Sequence, residues 1–275
     1  MKESAAIRFL YGTCPGRACL KLLVAPSLSR LCARFLSSAV SAPITGPFIR
    51  KNGITLERYV VPKGGYRSFN DFFTRKQKKS FEINSNAPLV SPCDALLTLS
   101  DIDSDSVFSI KSSRYSLAGL LRSKKLAGAF CGGSALIFRL TPAHYHRYQF
   151  CADGTVAAAR KIPGVLHCVR PLALEKFPVF TENSREYIVM KNKELGAVVQ
   201  MEVGAMLVGK ISNHPLSVLP AEVSAGTEKG FFEYGGSTII VLTKKRITLS
   251  PDIAMREKDG DEIPVKIGEA LIGNA

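Results

Sequence analysis

A serine that follows two glycines and precedes a β-branched run is the feature of this sequence best suited to covalent chemistry. The run Gly235-Gly236-Ser237-Thr238 leads directly into Ile239-Ile240-Val241-Leu242. Because glycine permits sharp bends and close approach, Ser237 can place its hydroxyl against the carbonyl of Gly236. That geometry permits an N-to-O acyl shift. If the resulting ester eliminates, the chain breaks between Gly236 and Ser237, and the serine becomes dehydroalanine and finally, by hydrolysis, an N-terminal pyruvoyl group. The alternative is a Gly-Gly hairpin turn that enters a buried strand.

A serine hydroxyl near neutral pH is a poor nucleophile unless a base removes its proton and a carboxylate orients that base. Histidine is scarce, and two of the four histidines, His144 and His146, lie within six residues of Thr141. On a strand, positions two apart face the same side, so we predict that both rings share one strand face. His167 is interpreted as a strand histidine that is hydrogen bonded within the fold.

Two acidic residues stand out because of their surroundings. Asp94 follows Pro92 and Cys93 at the head of a predicted strand, where a carboxylate can face a pocket. The alternative for Asp94 is a turn residue, which is common after proline. Glu202 is alone in an apolar strand and is predicted to be a pocket acid or part of a polar network in the core.

Five blocks, in their order along the chain, resemble the phosphatidylserine decarboxylase family. The last block resembles the branch of the family in which glycine, not leucine, precedes the Gly-Ser-Thr cleavage site. The resemblance extends from about Arg67 to Leu242. The blocks are Phe69-Asn70-Asp71-Phe72-Phe73-Thr74-Arg75, Ser91-Pro92-Cys93-Asp94-Ala95, Tyr145-His146-Arg147-Tyr148, Met201-Glu202-Val203-Gly204-Ala205 and Glu228-Lys229-Gly230-Phe231-Phe232-Glu233-Tyr234-Gly235-Gly236-Ser237-Thr238.

The resemblance implies a self-processing, pyruvoyl-dependent decarboxylase that converts phosphatidylserine to phosphatidylethanolamine and CO2. Cleavage between Gly236 and Ser237 would yield a long chain, residues 1–236, and a short chain, residues 237–275. The pyruvoyl cofactor formed from Ser237 would serve as an electron sink without any added cofactor. We find no metal-ligand cluster and expect no metal.

The family also implies roles for individual residues, and one of them is missing here. An aspartate in the position of Asp94 belongs to an Asp-His-Ser relay that drives cleavage of the serine, here Ser237. His146 matches the histidine that lies near the pyruvoyl group and is implicated in decarboxylation. The relay histidine normally follows three residues later, where this chain has Gln149. Because glutamine accepts no proton at useful pH, either His146 or His144 acts as the base, or maturation is impaired.

Arg185 and His144 are the predicted substrate-binding residues. Arg185 lies in a block, Asn183 to Tyr187, that resembles the family around its substrate pocket, and a guanidinium suits a phosphate or carboxylate. The alternative for Arg185 is a structural ion pair with Glu182 or Glu186.

Composition and charge restrict the classes of partner that the protein can bind. A net charge of +14 and a pI near 9.6 imply attraction to nucleic acid or to an anionic lipid surface. Zinc-finger spacing, an RNP-like aromatic strand and a long basic helix are all lacking, so we predict no nucleic-acid partner. The seven cysteines include no Cys-x-x-Cys pair, which argues against a disulfide framework or a structural zinc site.

Residues 1–41 carry six Lys or Arg and one acid, and no apolar run approaches the ~20 residues needed to span a bilayer. We predict two short amphipathic helices, split at Pro26, with Arg30 and Arg34 on a face separate from the apolar one. Such helices suit peripheral association with an anionic membrane. The alternatives are helices that pack on the core, and an organellar transit peptide.

The predicted fold is α+β and mostly β. Residues 1–65 form an N-terminal helical, membrane-associating segment, and residues 66–275 form a curled, antiparallel, β-rich catalytic domain. Short strands include Val165 to Val169, and one helix lies near Ser116 to Leu126. We expect a homodimer of processed protomers at the cytoplasmic face of a membrane, or at an organellar membrane in a eukaryote. Two rivals are a paralogous pyruvoyl-dependent decarboxylase of a small amino acid and an unprocessed, catalytically silent lipid-binding protein.

Overall fold

Two antiparallel sheets and one hairpin form the frame of the protein. The computed structural model describes residues 5–78, 87–110, 113–206, 210–216, 218–234, 237–256 and 262–273. The strands within these ranges are β1 (Ala95–Asp101), β2 (Val107–Ile110), β3 (Ser113–Ser116), β4 (Ser134–Leu140), β5 (Arg147–Gln149), β6 (Gly154–Ile162), β7 (Arg185–Asn192), β8 (Gly196–Val203), β9 (Ile211–Asn213), β10 (Ala221–Val223), β11 (Glu228–Phe232), β12 (Ser237–Thr243) and β13 (Ile263–Val265).

The helices are short, and many of them precede the first strand. They are α1 (Ala5–Gly12), α2 (Cys14–Leu23), α3 (Pro26–Leu36), a 3-10 helix (Ala39–Ile44), α4 (Thr45–Asn52), α5 (Phe69–Phe73), α6 (Leu117–Leu121), α7 (Lys124–Gly128), α8 (Pro171–Lys176), α9 (Val179–Glu182) and α10 (Pro251–Ala254). The predicted α+β class with antiparallel sheets and short helices is therefore confirmed.

The large sheet is open and has the strand order β10-β6-β7-β8-β12-β4-β1-β13. β12 lies inside this sheet, and every one of its residues is buried. Its β-branched side chains favour an extended backbone and pack well on a pleated surface. Thr238 pairs with Val203 of β8 on one side and with Arg139 of β4 on the other.

A layer of structure covers each face of the large sheet around β12. The small sheet, with the order β5-β11-β9, lies on the face that carries Glu202, which hydrogen bonds to Lys229 of β11 and Asn213 of β9. Helices α6 and α9 cover the opposite face, where Arg185 and Tyr187 bond to backbone carbonyls of α6. A side chain at the start of β12 is therefore removed from bulk solvent.

Besides the strand expected for His144 and His146, two sequence predictions about elements differ from the structure. The helix predicted near Ser116 to Leu126 is two helices, α6 and α7, because Arg122 adopts a left-handed backbone conformation with φ of 50°. The strand predicted at Val165 to Val169 is wrong, since only Val165 makes a β-bridge, with Asn183.

The N-terminal helices pack on the core with one side. Tyr11, Leu20 and Val24 are buried in the main core cluster, and the Tyr11 hydroxyl accepts a hydrogen bond from the Cys168 amide at 2.9 Å. The predicted break at Pro26 is confirmed, since proline suits the first turn of α3, where its missing N–H costs nothing. The division of the chain after residue 65 stays a prediction.

Apolar side chains also lie on the outer side of these helices. Leu22, Leu31 and Phe35 are 73%, 62% and 50% exposed, respectively. Among the described residues, no helix has the length and apolar character needed to cross a bilayer.

Candidate active site

Ser237 is the first residue of β12 and is fully buried. It pairs with Leu140, the last residue of β4. Its Oγ has no hydrogen-bond partner within the described part of the chain. A buried hydroxyl without a partner costs free energy, and a catalytic role is one physical explanation for such a group. Gly235 and Gly236, which complete the predicted cleavage site, lie outside the described residues.

The segment before Ser237 is anchored by an aromatic cluster. Tyr234 packs against Phe69 and Phe73 of α5 with ring centroids 4.9 and 5.1 Å apart, and against Phe48 of α4. Its amide donates to Asn70 Oδ1 at 3.2 Å. The chain therefore enters the cleavage site from a fixed point three residues before the serine.

His144 and His146 lie in the connection between β4 and β5, and the prediction that they occupy a strand is wrong. The chain leaves β4 at Leu140, beside Ser237, and turns at once; Pro142 lies within the turn. Because β4 ends next to the serine, this turn carries both histidines to the same end of the sheet.

His146 is fully buried and lies close to the cleavage segment. Its ring packs 4.1 Å from the ring of Phe73, and its carbonyl accepts a hydrogen bond from the Phe232 amide at 2.9 Å. Its Nδ1 lies 2.9 Å from the carbonyl oxygen of His144. A carbonyl can only accept, so Nδ1 carries the proton and Nε2 is the basic nitrogen of the neutral ring. This tautomer suits a general base.

His144 has the opposite tautomer. Its Nδ1 accepts a hydrogen bond from the Thr141 amide at 3.2 Å, so the proton of the neutral ring lies on Nε2. Burial lowers the pKa of His144 to about 4; Asp94 opposes the shift, while Lys266 and Arg139 add to it. His144 is therefore neutral at pH 7 and is a weak base.

Asp94 immediately precedes β1 and lies near His144. Its Oδ1 accepts a hydrogen bond from the Ile267 amide at 3.0 Å, and its Oδ2 lies 3.8 Å from Lys266 Nζ. The carboxylate is thus held by the segment that follows β13. Asp94 and His144 interact electrostatically, which brings two of the predicted site residues together.

Gln149, at the position of the expected relay histidine, is buried beside the turn that leads to Asp94. Its Nε2 donates to the Ser91 carbonyl at 3.1 Å, and its amide donates to the Pro92 carbonyl at 2.9 Å. Its Oε1 has no partner among the residues that the structure describes. The side chain therefore occupies a relay position without a group that can accept a proton.

A buried polar network lies next to this position, and its basic member was not predicted from the sequence. Gln200 Nε2 donates to the Gln149 carbonyl at 3.0 Å and lies 3.3 Å from Glu202 Oε1. Glu202 accepts from Lys229 Nζ at 2.5 Å, and both side chains are buried. Burial raises the pKa of Glu202, and Lys229 opposes that shift. Little in the sequence indicates that Lys229 is buried, since a lysine beside Glu228 is normally an exposed surface charge.

Arg185 is held within the fold, and its contacts favour a structural role over the predicted substrate contact. It is fully buried on the face covered by helices, and its guanidinium donates to the carbonyls of Gly119, Leu120, Thr181 and Asn183 at 2.8–3.0 Å. The alternative ion pair with Glu182 or Glu186 is also absent from the described contacts. Arg185 instead links β7 to α6 and the α9 segment.

A comparison of the whole chain with known families bears on this site. The sequence model of phosphatidylserine decarboxylase matches residues 69–273, which contain Asp94, both histidines of the turn and Ser237. The chain belongs to the phosphatidylserine decarboxylase family.

Several bacterial members of the family are similar over nearly the full chain. Phosphatidylserine decarboxylase proenzyme 2 of Clostridium acetobutylicum is 41% identical over 274 residues, which cover 98% of this chain and 92% of that protein. The phosphatidylserine decarboxylase proenzyme of Ruminiclostridium cellulolyticum is 41% identical over 272 residues, covering 96% and 89%. That of Chlamydia muridarum is 37% identical over 274 residues, covering 98% and 90%.

A cofactor made from the chain would be built on Ser237, whose buried hydroxyl at the start of β12 has no partner among the described residues. Among the described residues, no three His, Cys, Asp or Glu side chains form a group that could hold a metal ion.

Proposed function

We propose that the chain is a phosphatidylserine decarboxylase proenzyme that cleaves itself between Gly236 and Ser237 and carries its cofactor on the former serine. It is an enzyme of that family and converts phosphatidylserine to phosphatidylethanolamine and CO2. The observation that supports self-cleavage best is the buried Ser237 Oγ, which has no partner among the described residues and lies beside the turn that carries His146. Such a hydroxyl is available to attack the preceding carbonyl.

In the proposed cleavage, Oγ of Ser237 attacks the carbonyl of Gly236 while Nε2 of His146 accepts the hydroxyl proton. The hydrogen bond from Nδ1 to the His144 carbonyl fixes the required tautomer, in the way that a carboxylate does in a serine relay. The carbonyl carries no charge, so it stabilises the protonated ring less than a carboxylate does. We therefore expect slower maturation than in family members with the relay histidine.

Elimination of the ester leaves the long chain ending in the carboxylate of Gly236 and the short chain beginning with dehydroalanine at residue 237. The imine tautomer of dehydroalanine is hydrolysed by water, which releases ammonia and leaves the pyruvoyl ketone. A pyruvoyl group at residue 237 supplies an electron sink for the electron pair released when CO2 leaves. The residues around it would be His146 and the start of β12. His146, freed from its first task, would hold the substrate carboxylate or return a proton to the reacting carbon.

The substrate stays in a membrane, and the N-terminal helices provide a surface for docking on it. Leu31 and Phe35 of α3 are exposed and lie near the basic side chains Arg30 and Arg34. Apolar side chains that enter the lipid interface and basic ones that meet anionic headgroups are the two contributions expected of a peripheral helix. Peripheral attachment of this kind leaves the catalytic domain outside the bilayer.

Intact mass spectrometry of the purified protein tests the proposed function. We expect two chains, with the shorter one lacking a free amino terminus, and Ser237→Ala should remain a single chain because alanine has no oxygen to receive the acyl group. A parent protein that stays full-length after long incubation at neutral pH would favour the silent lipid-binding protein. Activity that does not depend on lipid vesicles or micelles would favour a small amino acid as substrate.

A further inference from the structure

A cavity of about 310 Å³ lies between α3, β7 and the connection that leads to β9. This volume is at the lower end of the range for small-molecule sites. The charged side chains of its wall are Arg30, Lys161, Lys210 and Glu186, and the backbone of Gly204 completes the inner side. None of these residues belongs to the proposed cleavage machinery.

Two residues of the cavity wall are linked to the chain around Ser237. Gly204 directly follows Val203 of β8, which pairs with Thr238, the residue after the serine. The carbonyl of Lys210 accepts a hydrogen bond from the Glu233 amide at 3.1 Å, four residues before the serine. The wall of the cavity is therefore joined, through Gly204 and Lys210, to the chain on both sides of the serine.

The wall of the cavity has a net positive charge. Lys161 Nζ lies 2.6 Å from Glu186 Oε1, so these two charges neutralise each other. Neither Arg30 nor Lys210 forms a direct ion pair in the described chain. Lys210 also interacts electrostatically with Glu233, whose pKa is raised by burial while Lys210 opposes the shift. Arg30 and Lys210 thus remain available to an anion.

The chemistry of the headgroup matches this arrangement. Its phosphodiester carries one negative charge and is separated by two carbons from the amino group that must reach residue 237. Arginine and lysine are the side chains that bind phosphate oxygens by charge-assisted hydrogen bonds. Arg30 lies on α3, whose exposed Leu31 and Phe35 face away from the core, so a bilayer on α3 would deliver the headgroup at this wall.

We infer that this cavity binds the phosphodiester of the lipid headgroup through Arg30 and Lys210, so that the serine moiety extends past Gly204 to residue 237. The inference rests on the proposed function. It assigns substrate recognition to the helical segment and to the connection before β9, in place of Arg185.

The first test measures decarboxylation by the processed enzyme in mixed micelles of phosphatidylserine and a neutral detergent, in which general attraction to an anionic surface is weak. Arg30→Gln and Lys210→Gln should each raise KM by about 10-fold or more, the loss expected for one charge-assisted hydrogen bond, with little change in kcat. Lys193→Gln is the matched control, because it removes one exposed charge from the turn between β7 and β8. A KM that is unchanged in both cavity variants, or raised equally in the control, overturns the inference.

The second test needs no cofactor. Calorimetry should detect binding of glycerophosphoserine to the Ser237→Ala proenzyme and about 10-fold weaker binding when Arg30→Gln or Lys210→Gln is added. Inorganic phosphate should bind more weakly; equal binding would indicate a general anion site and overturn the headgroup assignment, as would no binding of glycerophosphoserine. A parent protein that fails to mature or to decarboxylate contradicts the proposed function alone, since this binding test does not depend on either event.

Discussion

Replacing His146 with alanine is expected to stop chain cleavage in a protein that still folds. General-base assistance contributes about 10²–10⁴-fold to a rate, so the half-time of cleavage should lengthen by that factor. The substitution removes a ring packed 4.1 Å from Phe73 and one hydrogen bond to the His144 carbonyl. These contacts are worth about 0.5–1.5 kcal/mol each. The cavity left by a buried ring adds about 3–5 kcal/mol, so slow cleavage reports lost chemistry only in a variant whose melting shows that it is folded.

The assay is a time course of chain separation by intact mass, with circular dichroism melting to verify the fold. His144→Gln is the matched control, because its Nδ1 lone pair is occupied by the Thr141 amide and its pKa of about 4 makes it a weak base. It should cleave at the parental rate. Parental cleavage in His146→Ala would refute the reasoning and leave Asp94 or water as the base.

A rescue experiment extends this prediction to position 149. Gln149 Nε2 donates to the Ser91 carbonyl at 3.1 Å, and a histidine there can keep that bond through Nδ1 while presenting Nε2 as a base. Gln149→His should therefore speed maturation of the parent and restore cleavage to His146→Ala. If the double variant stays uncleaved although it folds, position 149 is not within reach of Ser237.

Three further predictions concern stability and the membrane. Burial lowers the pKa of His144 to about 4 from 6.5, so between these pH values the unfolded chain binds a proton that the folded chain does not. The free energy of unfolding should therefore fall by up to about 3 kcal/mol as the pH drops from 6.5 to about 4. Urea melts of His144→Gln should lack that fall. Arg185→Leu leaves four carbonyls without their donor and should destabilise by about 3 kcal/mol or more, so a melting temperature unchanged from the parent would contradict the structural role. Leu31→Ser with Phe35→Ser should weaken flotation with anionic vesicles by at least about 10-fold, and added salt should weaken binding of the parent; equal flotation of both proteins would remove α3 from the membrane surface.

The two histidines of the turn show why residue spacing alone can mispredict local structure. Spacing two apart predicted a shared strand face, but the chain leaves β4 at Leu140 and turns through Pro142, so the spacing no longer has its strand meaning. Position 149 shows a related limit of prediction from the sequence. The missing histidine was evident from the sequence, whereas its neighbours Ser91 and Pro92 lie more than fifty residues earlier and meet it only in the folded chain.

The sequence by itself determined the family and the buried strand that follows Ser237, and it marked that serine as the predicted cleavage site, because these depend on short blocks and on local preferences of β-branched residues. Only the tertiary structure decided that Arg185 is held by carbonyls, that Lys229 pairs with Glu202 inside the protein, and that Nε2 is the basic nitrogen of His146. Burial and hydrogen-bond partners set those properties, and several of the partners, such as Gly119 and Leu120 for Arg185 and Glu202 for Lys229, come from segments distant in the chain. No local pattern records such contacts, so they follow from the packing of the two sheets and the helices around β12.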